Sequence, residues 1–263
     1  MFIKFLKRLL FPTCALIGLV FYVWMEVNVP TVRYVNISVA DLPKNVKLLQ
    51  LSDSHGRGIS ENKRLMRAIQ KFEPDMTVIT GDMIDKQTVD FSVPLEDVRV
   101  LSSEMPVLYI PGNHEYANSK GATFIRQVGE FGAFVLKNDA MAIDGISVCG
   151  TDDTNFDLDD VSAALAVNGR CDILLSHSPA ISSRIRGLNI PLVLAGHTHG
   201  GQVALPIIGA VFLPDRDIPR NLIKGLVLEN GTQFFISVGL GTSGLPVRFM
   251  NRSEINLITI NPE

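Results

Sequence analysis

The chain has 263 residues, of which 19% are charged, and its formal net charge is −3. This length suffices for one large α/β domain or two small ones, with a substantial buried core. A slightly acidic chain is a poor match to non-specific duplex binding, which requires a basic face, so we expect no nucleic-acid partner.

The amino-terminal segment, MFIKFLKRLLFPTCALIGLVFYVWMEV, differs from the rest of the chain. Several basic residues precede an apolar run from Leu9 to Met25. As a helix, this run is about 25 Å long, near the lower limit for crossing a bilayer. Tyr22 and Trp24 lie near its far end, where aromatic side chains meet the membrane surface. The pattern predicts a transmembrane anchor at residues 1–27 and one domain at residues 28–263.

A cleaved signal peptide is the alternative interpretation of this segment. The residues that follow the apolar run, Met25 to Asn28, form a poor small-x-small cleavage site, which favours an uncleaved anchor. The basic start favours an amino terminus inside the cell and a domain outside it. We therefore expect a single-pass protein of the inner membrane whose domain lies on the extracytoplasmic side.

Apolar periodicity after the anchor predicts alternating strands and helices. The segment from Thr31 to Pro43 alternates as a strand does and then turns at Pro43. Ser60 is the predicted N-cap of the first helix of the domain. The predicted strands here are Val46 to Leu51, Met76 to Thr80 and Val107 to Ile110, and the predicted helices are Ile59 to Phe72, one within Asp90 to Met105, and Lys120 to Phe131.

The second half of the chain is mostly short apolar runs that predict strands. Two helices are predicted between them, at Asp159 to Val167 and Ala180 to Arg186. With its βαβαβ start and no long linker, the chain is predicted to form one α/β domain behind the anchor. The predicted strands are Ala133 to Leu136, Met141 to Cys149, Ile173 to Leu175, Val193 to Ala195, Leu226 to Leu228, Phe234 to Val238 and Ile255 to Ile260.

Polar side chains follow the ends of five of the predicted buried strands. In open α/β sheets, ligands bind at the carboxyl ends of the strands, so we expect these side chains to meet in one site. All five histidines of the chain belong to this group. Its members are Asp53, His55, Asp82, Asn113, His114, His177, His197 and His199.

Carboxylate and imidazole together suit divalent first-row metals. The group is too large for one catalytic metal, which takes about three protein ligands, and suits two metals that share a carboxylate. Taken singly, each piece has an ordinary explanation: Gly81-Asp82 as a turn, or His177 as a hydrogen-bonded core residue. The five pieces together favour a dinuclear metal site.

The order of these motifs resembles the signature of the calcineurin-like metallophosphoesterases. It runs D-x-H, G-D, G-N-H-E, a single histidine and G-H-x-H, and the resemblance extends from Val46 to the carboxyl terminus. The segments GHTHGGQ and SVGLGTSGLPVRF are similar to the membrane-associated branch of that family. That branch includes enzymes that act on phosphodiesters and on UDP-diacylglucosamine, a lipid A precursor.

The resemblance implies a fold and a role for each matching position. The implied fold is α/β, a sandwich of two mixed β-sheets flanked by helices. Asp82 would bridge two metals, and His114, oriented by Asp85, would protonate the leaving oxygen or stabilise developing charge. The first metal would be held by Asp53, His55 and His199, and the second by Asn113, His177 and His197.

The residues also indicate a mechanism. Two cations lower the pKa of a bridging water and offset the charge of phosphate oxygens, so a metal-bridging hydroxide can attack phosphorus. An imidazole such as His114 suits the acid role. The predicted function is that of a metal-dependent phosphodiesterase acting on a lipid-linked or envelope phosphoester.

Other functions and metals stay open at this point. A soluble-substrate phosphomonoesterase or a nucleotide phosphodiesterase would use the same site. A non-catalytic binding scaffold on the same fold is the alternative from another class. The two divalent ions could be Mn, Zn, Fe or Co, because sites of histidine and oxygen ligands accept these metals according to their availability.

Weaker patterns lie outside the motifs. The apolar segment from Val203 to Pro214 is either two buried strands around a turn at Gly209, or an apolar lip that takes acyl chains or touches the bilayer. Arg248 is expected to meet a substrate anion or to form a surface salt bridge.

Two further expectations concern the acidic residues and the cysteines. The acidic segment from Thr151 to Asp160 is interpreted as a solvated loop, with Asp157 or Asp159 near a helix start. Cys149 and Cys171 are expected to be small buried residues, since three cysteines are too few for a disulfide framework.

Overall fold

Two six-stranded mixed β-sheets pack face to face, with helices on their outer faces. The structure is a computed structural model that describes residues 2–206, 208–211 and 218–263, with side chains from residue 10 onwards. The predicted fold class, a sandwich of two mixed sheets flanked by helices, is confirmed.

The first sheet carries the amino-terminal half of the domain. Strands β2 to β5 are parallel, β14 is antiparallel to β2, and β1 is parallel to β14 at the edge. The order is β1-β14-β2-β3-β4-β5. These strands are β1 Thr31–Val39, β2 Val46–Leu51, β3 Met76–Thr80, β4 Val107–Ile110, β5 Phe134–Val135 and β14 Glu254–Pro262.

The second sheet has the order β12-β13-β9-β8-β7-β6. Its four central strands are parallel, and an antiparallel strand closes each edge. A separate two-stranded hairpin consists of β10 Ala204–Leu205 and β11 Gly209–Ala210. The strands of the second sheet are β6 Asp139–Ile143, β7 Ile146–Gly150, β8 Ile173–Leu175, β9 Leu192–Ala195, β12 Gly225–Glu229 and β13 Thr232–Ile236.

Three apolar clusters form the layers of the core. One lies between the sheets, a second lies between the first sheet and helices α2, α3 and α5, and a third packs α6 on the second sheet. Strands covered on both faces are apolar throughout rather than alternating, which is why VLYI and LVLA are uninterrupted. The α-helices are α1 Phe2–Asn28, α2 Lys63–Phe72, α3 Ser92–Ser102, α4 Asn113–Ala117, α5 Gly121–Glu130 and α6 Val161–Asn168.

Three local predictions were wrong. The N-cap of α2 is Asn62, which accepts the Arg64 and Leu65 N–H groups, whereas the backbone of Ser60 donates to the Asp97 carboxylate. The predicted helix from Ala180 to Arg186 is a 3-10 turn at Pro179–Ser183. The predicted single strand from Met141 to Cys149 is a hairpin, because Asp144 and Gly145 adopt positive φ and reverse the chain.

The apolar segment beginning at Val203 is not a pair of buried strands. Its two short strands form the β10–β11 hairpin, where Leu205 is 36% and Ile208 is 73% exposed. Gly209 lies in β11, after the turn. Residues 207 and 212–214 of the predicted segment lie outside the described residues.

Cys149 and Cys171 are buried, as predicted, but they also pair as a disulfide. Cys149 lies in β7, and Cys171 lies just before the neighbouring strand β8. Their Cα atoms are 5.8 Å apart, within the usual range for a disulfide. The sequence spacing does not reveal this pairing, because it arises from adjacent strands.

Among the described residues, α1 is the one helix long and apolar enough to cross a membrane, over Leu10–Asn28. Only 11% of that span is buried against the rest of the protein. Large apolar side chains such as Phe11, Ile17 and Val20 are exposed on it. The finding agrees with the predicted membrane helix by length and composition.

Candidate metal centre

The eight polar residues predicted to share a site come together where the carboxyl ends of β2, β3, β4, β8 and β9 meet. Each candidate lies two to four residues after the end of its strand, and the loops that carry these residues converge. The separate motifs therefore become one site only when both sheets are assembled.

Asp53, His55 and His199 form the first donor set. The Nε2 atoms of His55 and His199 are 3.1 Å apart. Asp53 Oδ1 is 3.6 Å from His199 Nε2. The ligand atoms of these three residues thus lie close enough together to hold one metal ion.

Asn113, His177 and His197 form the second donor set. Asn113 Oδ1 lies 3.0 Å from His177 Nε2, and His197 Nδ1 lies 3.1 Å from the same atom. His177 Nδ1 donates to the Thr80 carbonyl at 2.8 Å, so its Nε2 presents a lone pair to the site. A backbone carbonyl that fixes the tautomer in this way is typical of histidines that bind metals.

Asp82 lies between the two sets. Its Oδ2 is 3.3 Å from His177 Nε2 and 3.8 Å from His55 Nε2. Burial alone would raise the pKa of Asp82, but the neighbouring His177 and His55 hold it below its usual value. An ionised carboxylate shared by two imidazole groups fits the position of a bridging ligand. The donor set as a whole, imidazole with carboxylate and amide oxygen, fits divalent first-row ions.

The pKa values of the histidines follow their surroundings. Burial lowers the pKa of His55, and burial with the nearby His55 and Arg248 lowers that of His199. Both rings are therefore neutral and able to ligate. Burial opposes a charge on His177 too, but the Asp82 carboxylate raises its pKa well above the usual value. A cation held beside His177 would repel a proton from Nε2.

His114 is positioned beside the two sets by a carboxylate. Its Nδ1 is 2.9 Å from Asp85 Oδ1, and its backbone N–H donates to Asp82 Oδ1 at 2.9 Å. The ring of His114 meets that of His55 edge-on, with centroids 4.7 Å apart. Nε2 of His114 is the atom left facing the site, 3.4 Å from Ser243 Oγ. His114, His55 and Asp82 also lie close enough to hold an ion, so metal content is the test of its predicted role.

Five of the candidate ligands have a left-handed backbone. This conformation is uncommon for residues other than glycine and tends to cluster at functional sites. The surrounding hydrogen bonds hold it in place. The residues and their φ values are Asp53 (49°), His55 (45°), Asp82 (53°), His197 (67°) and His199 (48°).

Two glycines allow the backbones to approach the ligands closely. A Cβ on Gly81 would lie 2.6 Å from His177 Nδ1, and the φ of Gly81 is +85°. A Cβ on Gly196 would overlap Ser52 Oγ and the Asp53 carboxylate. These contacts explain why glycine precedes both Asp82 and His197.

Glu115 organises the site, although the sequence assigned it no role. It is fully buried, and its carboxylate accepts four backbone N–H groups from two ligand-bearing loops. Burial and the Asp82 carboxylate raise the pKa of Glu115, and the N–H donors oppose this shift. Glu115 is the last residue of the G-N-H-E motif, and that motif was the sequence feature that could have indicated its role. The donors are Asp82, Met83, Ile84 and Gly112.

Replacement of Glu115 by glutamine is expected to destabilise the domain by about 2–5 kcal/mol, because an amide NH2 would face backbone N–H donors. The urea midpoint of the detergent-solubilised protein measures this change. Glu104→Gln, at an exposed glutamate outside the site, is the control and should leave the midpoint unchanged. Equal midpoints for both variants would contradict the role of Glu115.

The acidic segment from Thr151 is only partly a solvated loop. Asp153 is buried, and burial raises its pKa. Asn155 Nδ2 lies 3.3 Å from His197 Nε2, so the segment reaches the second donor set. The N-cap of α6 is Asp160, so Asp159 lies near a helix start, as predicted. The prediction of a solvated loop was wrong only for residues 151–154, which are buried, whereas residues 155–158 are exposed.

Both predictions for Arg248 were wrong. Its side chain is completely buried, so it neither faces solvent nor forms a surface ion pair. Its guanidinium donates to the carbonyls of Val238, Gly241 and Asn251 at 2.6 to 3.1 Å, and Nη2 is 3.4 Å from His199 Nδ1. Burial lowers its pKa to about 10. Arg248 thus holds the loops behind His199 together through hydrogen bonds.

The chain is similar in sequence to known metallophosphoesterases. A family model described as "Calcineurin-like phosphoesterase" matches residues 46–201. The chain is 30% identical over 250 residues to an "Uncharacterized metallophosphoesterase" of Helicobacter pylori, covering 89% of this chain and 65% of that one. The chain therefore spans somewhat less than two thirds of that relative.

Two other relatives differ in length. "Uncharacterized metallophosphoesterase YkuE" of Bacillus subtilis is 29% identical over 228 residues, which cover 81% of this chain and 78% of the relative. A "Transmembrane protein with metallophosphoesterase domain" of Bos taurus is 28% identical over 260 residues, which cover 88% of this chain and 57% of the relative.

Proposed function

The chain belongs to the calcineurin-like phosphoesterase family, and from this premise we propose that it is a metal-dependent phosphodiesterase acting on a lipid-linked or envelope phosphoester. The observation that carries the proposal is the pair of donor sets on either side of Asp82, with His114 beside them. The substrate class rests on the apolar helix α1 and on the exposed apolar hairpin next to the site.

Different residues of the site would bind the metals and deliver the proton. One divalent ion would be held by Asp53, His55 and His199, the other by Asn113, His177 and His197, with Asp82 as the shared ligand. Such ions supply Lewis acidity, which activates water and offsets the charge of phosphate oxygens. His114 would deliver a proton from Nε2 to the leaving oxygen, and Asp85 would hold the ring through Nδ1.

We place the domain on the extracytoplasmic side of the inner membrane, with α1 as a single-pass anchor. The basic amino terminus supports this orientation. The Cys149–Cys171 disulfide supports it independently, because disulfides persist in oxidising compartments.

Metal content and a substrate panel test the function. The purified full chain in detergent is expected to bind divalent metal, to lose turnover with a chelator and to regain it with added Mn²⁺. A chromogenic phosphodiester and a UDP-linked lipid should be hydrolysed faster than the matching monoester. Preference for the monoester would replace the proposal with a soluble-substrate phosphomonoesterase. Absence of bound metal and of turnover would leave a binding scaffold.

A further inference from the structure

The end of α1 is fixed to the domain beside the metal centre. Tyr22 Oη accepts the backbone N–H of Met250 at 3.2 Å. The buried carboxylate of Glu26 accepts the N–H of Asn251 at 2.8 Å. Asn251 Nδ2 in turn donates to the carbonyl oxygen of His199 at 2.5 Å. Asn251 therefore connects Glu26, in the predicted anchor, to His199, a candidate metal ligand.

This junction leaves little of α1 free to cross a bilayer. The domain covers one side of the helix from Tyr22 onwards and buries Glu26 and Val27, whereas all side chains from Leu10 to Phe21 are exposed. The exposed apolar stretch from Leu10 to Phe21 is about 18 Å long, against about 30 Å for the hydrocarbon core. A short span draws its flanking groups towards the bilayer. Exposed Trp24, which stacks on Phe21, fits the interfacial level.

Exposed apolar side chains surround this junction. We call them the apolar rim, and their exposed fractions lie between 36% and 73%. Phe249 packs on Tyr22 with ring centroids 5.4 Å apart and bridges to Val203, which leads into the hairpin. The rim is thus continuous with the anchor helix. It consists of Leu205, Ile208, Leu245, Val247 and Met250.

Basic side chains accompany the rim. A groove of about 430 Å³ shares Met250 and Asn251 with the helix junction. Its charged walls are Arg33, Lys224, Arg252 and Glu254, and Glu254 pairs with Arg33 at 3.7 Å, so the groove keeps a basic excess. An apolar surface next to basic side chains matches the acyl and headgroup layers of a leaflet that contains anionic lipids.

We propose that the apolar rim lies in the interfacial layer of the same bilayer that α1 crosses, so that the metal centre opens at the membrane surface. The proposal rests on the proposed anchoring by α1 and deepens it. A second groove, of about 260 Å³, runs from Leu245 and Val247 to Ser243, whose Oγ is 3.4 Å from His114 Nε2. A phosphoester attached to an apolar tail can reach the site through this groove without leaving the membrane.

Fluorescence of the full chain in vesicles tests this orientation. In a Cys14→Ala background, which removes the exposed free thiol, Leu245→Cys and Met250→Cys are labelled with an environment-sensitive dye. The matched control is Leu228→Cys. Leu228 is 68% exposed, against 67% for Leu245, and it lies in β12 at the end of the second sheet that is far from the metal centre. The vesicles contain phosphatidylcholine, phosphatidylglycerol and a nitroxide-labelled lipid.

The rim positions are expected to show blue-shifted emission and at least about twofold stronger nitroxide quenching than position 228, because interfacial residues lie about 5–10 Å into the headgroup and acyl boundary. Equal quenching at positions 245, 250 and 228 would overturn the proposal. Resistance of the chain to alkaline extraction reports anchoring separately. Turnover of a soluble chromogenic diester by unlabelled protein reports the enzymatic function, so failures of the two proposals are distinguishable.

Discussion

Replacing His114 with alanine is expected to lower phosphodiester turnover by about 10²–10⁴-fold while metal content stays at the wild-type level. The expectation follows from geometry. His114 is held by Asp85 through Nδ1, and its Nε2 faces the site beside the two donor sets. Without the imidazole, the leaving oxygen would depart without a positioned proton donor. Metal analysis and steady-state rates on a chromogenic diester measure the two quantities on one preparation.

Asp85→Asn provides the graded comparison for this prediction. Asparagine keeps a hydrogen-bonding side chain next to Nδ1 but removes the negative charge, so the loss of turnover should be smaller than for His114→Ala. Near wild-type turnover of His114→Ala would show that His114 is not the proton donor. Loss of metal from that variant would instead make His114 a ligand.

Replacing Asp82 with asparagine is expected to weaken metal binding by more than about 100-fold and to abolish turnover, since substitutions of residues that only support a ligand already cost about 10–100-fold in affinity. The change is nearly isosteric and preserves an acceptor for the His114 N–H. It removes the negative charge between His55 and His177, where two cations would otherwise repel each other. Isothermal titration with Mn²⁺ measures the loss.

Asp97→Asn is the matched control for Asp82. Asp97 is also a buried carboxylate that accepts backbone N–H groups, in this case from Ile59 and Ser60. It lies outside the candidate metal groups. Its replacement should lower stability and leave metal stoichiometry intact in the folded protein. Wild-type metal affinity in Asp82→Asn would remove the bridging role.

The link between anchor and site has a consequence for studies of truncated protein. Glu26 and Asn251 join the end of α1 to the loop that carries His199. Removing α1 would leave the Asn251 N–H without its carboxylate and expose the surface on which Tyr22 packs. The full chain is therefore the appropriate material for the measurements proposed above.

Much of the fold was predictable because buried strands of parallel sheets are uninterrupted apolar runs. VKLLQL, MTVIT and VLYI form strands at their predicted positions. Polar residues directly after such strands lie at the same edge of a sheet, so Asp53, Asp82 and Asn113 could be grouped from their positions in the sequence. Helix starts were less predictable, as Asn62 in place of Ser60 illustrates, because a distant carboxylate, Asp97, determines which N–H groups need a cap.

The sequence by itself determined the order of the strands along the chain, the types of ligand and the glycines beside them, since these depend on local backbone and side-chain chemistry. Tertiary structure alone decided that Glu115 joins two loops, that Arg248 is buried behind His199 and that Asp153 turns inward. Tertiary structure also joined the apolar rim to α1. These features depend on partners far apart in sequence, and a buried charge is explained only by the groups that fold around it.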